Sequence, residues 1–115
     1  MILALSPWHP YLYDFLLTET DQHQGFFETE NWIRQYAHDY NIPLYGSYDP
    51  TCIKGLDETD FFDGLHCKGC GIAKFFPGVP QVLQDVENNT LPDPLSVTPR
   101  TTLPVDGEEN VENVG

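Results

Sequence analysis

The chain has 115 residues and a formal net charge of -13, with 18 Asp and Glu set against five Lys and Arg. That length suits one small domain plus a tail, and so acidic a chain makes nucleic acid and anionic membranes poor partners, because binding to phosphates depends on basic side chains displacing counterions. No apolar run approaches the about 18 residues of a membrane-spanning helix, and the start lacks a signal peptide's basic region and cleavage site, so the chain reads as soluble, cytoplasmic by default.

Met1 to Leu5 is an apolar run stopped by Ser6-Pro7, the pattern of a short buried strand. Pro10 then opens a helix through Tyr11, Leu12, Phe15 and Leu16, and Thr18 to Gln24 is a polar break ending at Gly25. A second helix is expected from about Glu28 to Tyr40. Trp32, Ile33, Tyr36, Ala37 and Tyr40 recur at three- and four-residue spacing and are assigned to the core, with Arg34, Gln35, His38 and Asp39 mostly on the outer side. Asn41 suits the helix end, and Ile42 to Gly46 forms another short strand, parallel to the first through a right-handed crossover. A polar loop from Ser47 to Asp60, the aromatic pair Phe61-Phe62 and a short helix around Ile72 to Phe76 complete the expected domain, residues 1 to 76. From Pro77 to Gly115 the chain turns Pro-rich and then acidic, and a largely disordered tail is expected, above all beyond Leu91.

The chemistry concentrates in Asp63-Gly64-Leu65-His66. An Asp and a His three positions apart on a turn can pair, the carboxylate holding one ring N–H while the other nitrogen accepts a proton. The plain alternative is a turn in which Asp63 caps the next segment and His66 is an ordinary exposed side chain. His9, between Pro7 and Pro10, either lines the same pocket or forms a rigid turn; Ser6 and Tyr48 are further candidates for that pocket. Cys67-Lys68-Gly69-Cys70 is a two-residue-spaced pair that, with Cys52 and His66, offers an alternative zinc set and hence a small zinc-binding interaction module. The odd count of three cysteines mildly favours a reducing compartment.

Asp60-Phe61-Phe62-Asp63-Gly64-Leu65-His66, followed by Gly69 and a helix, resembles the last conserved block of SGNH (GDSL-like) hydrolases and O-acyltransferases, and Ile2 to Pro10 resembles a late strand and turn of that superfamily. The resemblance implies a three-layer, flavodoxin-like α/β domain, of which residues 1 to 76 are a C-terminal part. It assigns His66 as general base and Asp63 as its orienter, acting on an acyl ester or a sugar hydroxyl without a cofactor. The family's Gly-Asp-Ser nucleophile block and its oxyanion-hole Gly and Asn are not recognisable here, and the serines are Ser6, Ser47 and Ser96. The expectation is therefore a fragment inactive alone, with an exposed sheet edge open to self-association.

Overall fold

Proline and glycine punctuation sets the frame of the computed structural model, which describes residues 1–102. The acidic stretch from 106 to 115, expected to be unstructured, lies outside the described residues. Strand β1 (Leu3–Leu5) pairs in parallel with β2 (Leu44–Gly46), Leu3 opposite Leu44 and Leu5 opposite Gly46. Gly46 closes β2 with φ +86°, and a Cβ there would collide with the Leu5 carbonyl. Between the strands lie helices α1 (Pro10–Leu17) and α2 (Gln24–Asp39). Pro10 begins α1 where its missing N–H costs nothing, and Asn41 follows α2 in the left-handed region at φ 56°. After β2 come α3 (Gly69–Ile72) and α4 (Val79–Asn88), so that the described residues form a mixed α/β arrangement of four α-helices and a two-stranded parallel sheet. No helix among the described residues is long and apolar enough to cross a membrane.

One face of the sheet packs Leu5 and Leu44 against Ala37 of α2, with Ile33 alongside. Toward α1 the core continues through Tyr13, Leu16, Leu17 and Phe27, where Trp8, Phe26 and Tyr48 fill the margin. On the opposite face the buried Tyr45 meets the Phe76 ring edge-on at 5.8 Å, and its hydroxyl lies 3.4 Å from Asp85 of α4.

Two expectations are corrected. The buried face of α2 is Phe27, Glu30, Arg34 and Ala37, whereas Trp32, Tyr36 and Tyr40 are 69%, 41% and 67% exposed and stack on one another along the outside. Arg34 and Glu30, exposed by only 3% and 2%, satisfy each other, so hydropathy misplaces the helix by about a third of a turn. Arg34 Nε and Nη2 reach Glu30 Oε2 at 2.8 and 2.7 Å, Nη2 also donates to the Gly46 carbonyl, and Nη1 donates to the carbonyl of Pro94. Glu30 also accepts from Ser47 Oγ at 2.7 Å and from the Tyr48 amide at 2.8 Å.

The second correction concerns the segment from Pro77 to Thr102, expected to be largely disordered. It holds α4, whose Val82 is fully buried, and then a strap running back across the domain. Arg100 clips the strap down: its backbone N–H and Nε donate to Asp49 Oδ2 at 2.8 and 3.0 Å, its Nη2 donates to Asp49 Oδ1 at 3.0 Å, and the Tyr13 hydroxyl donates to the Arg100 carbonyl at 2.9 Å. Prolines that break helical periodicity here shape an ordered strap, because side-chain and core contacts replace the missing helix bonds. Burial alone would raise the Asp49 pKa, but the bonds from Arg100 and Thr51 outweigh it and hold the carboxyl below its ordinary value.

Replacing Arg34 with Ala leaves Glu30 buried and unpaired, and should cost about 3–5 kcal/mol in urea denaturation, more than the double change Glu30→Leu/Arg34→Met. Arg100→Ala should cost about 1–3 kcal/mol at pH 7. Because the Asp49 pKa is depressed on folding, its contribution is present above the unfolded value of about 3.9 and is lost as pH falls through the folded one. The gap between wild type and Arg100→Ala in denaturation midpoint should therefore narrow only below about pH 4.

Candidate functional site

The Asp63 loop is built from its stem upward. Asp57 caps the Glu58–Asp60 turn and donates the reciprocal bond, from its N–H to Asp60 Oδ2 at 3.0 Å, so the aspartates form a capping box. Phe61 and Cys67 then pair in an antiparallel bridge, flanked by Phe62 N–H to His66 O at 2.8 Å and Lys68 N–H to Asp60 O at 2.6 Å. Between those bonds the chain has room only for a tight turn, which Asp63 organises by accepting the Leu65 and His66 amides on Oδ1 at 2.8 and 2.9 Å.

The same carboxylate takes the His66 ring: Nδ1 lies 2.9 Å from both Oδ1 and Oδ2. The Leu65 amide, the His66 ring and the His66 amide, in that order of effect, hold Asp63 ionised below the ordinary carboxyl range. An ionised carboxylate only accepts, so Nδ1 is the donor and Nε2 is left as the proton acceptor of neutral His66. The loop is tied to the start of α1, where Gly64 O accepts from His9 N–H at 2.9 Å, and the segments leaving the two parallel strands are linked beside it by Trp8 N–H to Tyr48 O at 3.0 Å. Ligands in open α/β sheets bind beyond those strand ends.

The other candidates separate. His9 caps α1, its Nδ1 accepting from Tyr11 N–H at 3.0 Å, while its ring packs 5.3 Å from Phe61. This is the geometry of a rigid turn, set beside the Asp63 loop through Gly64 and Phe61. Tyr48 stacks on Phe26 at 5.7 Å within the core margin and not on the site. Ser6 is exposed just after β1, Ser47 is buried against Glu30, Ser96 bonds Asp93, and no serine hydroxyl among the described residues is bonded to His66. The alternative zinc ligands do not gather: Cys52 Sγ faces the Thr98 carbonyl at 3.9 Å, His66 is held by Asp63, and no group of three His, Cys, Asp or Glu among the described residues is arranged to hold a metal.

Asp60 is the residue sequence reasoning passed over. Buried beneath the loop, it takes Lys74 Nζ at 2.8 Å and Cys70 Sγ at 3.5 Å, and the bond from Lys74 leads in keeping its carboxyl ionised below the ordinary range. The Asp57-x-x-Asp60 spacing of a capping box was its available signal. The Asp63 and His66 side chains themselves are 59% and 73% exposed, and a cavity of about 630 Å³ between the ends of α2 and α4 is lined by neither.

Comparison of the chain with protein-family models, with curated proteins and with solved structures returned no match.

In a carbon-detected NMR titration, Asp63 should ionise below the 3.8 of an ordinary aspartate, and its midpoint should rise in His66→Ala. The sign follows from the loss of one donor to the charged form, the two backbone donors staying in place.

Proposed function

We propose that this chain carries the general base and its orienter of an SGNH-type ester hydrolase or O-acyltransferase, on part of a flavodoxin-like domain whose nucleophile and oxyanion hole come from residues outside it. The observation that carries the reading is the pairing of His66 Nδ1 with the Asp63 carboxylate at 2.9 Å, on a loop tied through His9 to the segment that follows the first of two parallel strands. The β1–α1–α2–β2 order supports the domain class, since a parallel pair needs such a crossover.

In the complete site a serine hydroxyl attacks the acyl carbonyl and passes its proton to His66 Nε2, while Asp63 stabilises the imidazolium and keeps its tautomer. His66 then returns the proton to the leaving alcohol. Water or a sugar hydroxyl, deprotonated by the same nitrogen, resolves the acyl-enzyme. The exposure of His66 supports an incomplete site, because an oxyanion and its donors act strongly only where water is excluded.

Alone, the chain should show no turnover of p-nitrophenyl acetate that depends on both His66 and Ser6; activity lost in both His66→Ala and Ser6→Ala would make it a complete enzyme instead. Joined to an upstream-encoded segment that ends a strand in Gly-Asp-Ser, it should gain esterase activity. There His66→Ala should lower kcat by about 10⁶-fold and Asp63→Asn by about 10⁴-fold. A joined protein without His66-dependent turnover returns Asp63 and His66 to the role of a structural turn.

A further inference from the structure

The stem of the His66 loop is fastened by sulfur as well as by backbone. Cys67 ends the Phe61–Cys67 bridge, directly after His66. Its thiol lies against the start of α3 because position 71 is glycine: a Cβ there would sit 2.5 Å from Cys67 Sγ and 2.9 Å from Asp60 Cβ. Cys70, one residue before Gly71, sends its thiol to the same aspartate, 3.5 Å from Oδ1. Cys70 Sγ thus contacts Asp60, while Cys67 Sγ and Asp60 Cβ both crowd the space beside Gly71, the residue that follows Cys70. Both thiols are free; Cys70 is exposed and Cys67 half-buried, while Cys52 stands apart beneath the strap at Thr98.

We propose that Cys67 and Cys70 form a reversible dithiol–disulfide site for low-molecular-weight disulfides of the glutathione class, and that closing the bridge alters the setting of His66. The functional weight of the second part rests on reading His66 as a base; the first part does not depend on it.

The exposed Cys70 thiol loses its proton and the thiolate attacks one sulfur of glutathione disulfide. That S–S bond breaks, one glutathione leaves as thiolate and takes up the proton, and a Cys70–glutathione disulfide remains. Cys67 then loses its proton and attacks the Cys70 sulfur, expelling the second glutathione, which is protonated in turn. Two electrons pass from the protein dithiol to the glutathione disulfide. Burial, then the Asp60 carboxylate, push the Cys67 thiol up, which suits it to the second, intramolecular attack rather than to the first.

Closing the bridge draws Cys70 Sγ away from Asp60. That aspartate cannot follow freely, since Lys74 Nζ and the Asp57 amide hold its other oxygen at 2.8 and 3.0 Å. The strain falls on Cys67 and the stem, and so on the residue beside it.

The test equilibrates the reduced full chain in glutathione buffers of graded ratio, quenches with acid, alkylates, and maps the cysteines by mass spectrometry, with NMR of the His66 ring at each end. Cys67 and Cys70 should become inaccessible together, as an intramolecular disulfide without bound glutathione, while Cys52 remains alkylated. The His66 ring resonances should shift with that transition. In Cys67→Ser, Cys70 should instead accumulate as the glutathione adduct, because the resolving thiol is gone. Stable glutathione adducts on wild-type Cys70, or oxidation of Cys67 and Cys70 independently of each other, would overturn the site. A bridge that forms while the His66 resonances stay fixed would overturn the coupling. None of these readouts uses esterase turnover, so a failure of the hydrolase reading is separately visible.

Discussion

The Glu30–Arg34 pair is the contact through which the parts of this molecule meet. One helical turn apart on α2, the two side chains bond each other and then distribute their remaining donors and acceptors to Gly46 at the end of β2, to Ser47 and Tyr48 just beyond it, and to Pro94 on the returning strap. Burying two charges is expensive, and what offsets it is that each guanidinium nitrogen and each carboxylate oxygen has a partner. The geometry in turn fixes which face of α2 meets the sheet. It also leaves Trp32, Tyr36 and Tyr40 outside, where a purely hydrophobic solution would have turned them in.

The same device recurs. Asp49 is fully buried and held by Arg100, and Asp60 is buried and held by Lys74. A chain with only five Lys and Arg commits Arg34, Lys74 and Arg100 to such internal anchors. Each anchor pairs one base with one acid, so the net charge of -13 is unchanged, and of the five basic side chains Lys54 and Lys68 are those left outside these pairs.

At the candidate site one carboxylate does two jobs. Asp63 shapes the turn by accepting two backbone amides and, with the same oxygens, fixes the His66 tautomer. A structural turn and a base with its orienter thus share their local geometry, and what distinguishes them is the surroundings: a nucleophile, oxyanion donors and dry walls. Below the loop, Asp60 links the stem to α3 through Lys74 and Cys70, so the ground on which His66 stands is itself an ionic and sulfur-bearing cluster.

The sequence by itself determined the features whose causes lie within a few residues. Pro10 opens α1, Asn41 takes a left-handed conformation after α2, the two apolar runs become strands, and Asp-x-x-His closes into a turn, because each depends on a local dihedral preference or a bond spanning three residues. Tertiary structure alone decided the buried face of α2, the ordering of the strap, the separation of Cys52 from the other cysteines and the role of Asp60. Those outcomes rest on bonds such as Arg34 to Pro94 and Arg100 to Asp49, 60 and 51 positions apart. Hydropathy patterns assume that polar residues seek water. A charge buried with a partner far along the chain breaks that assumption, and only the folded chain brings the partner into place.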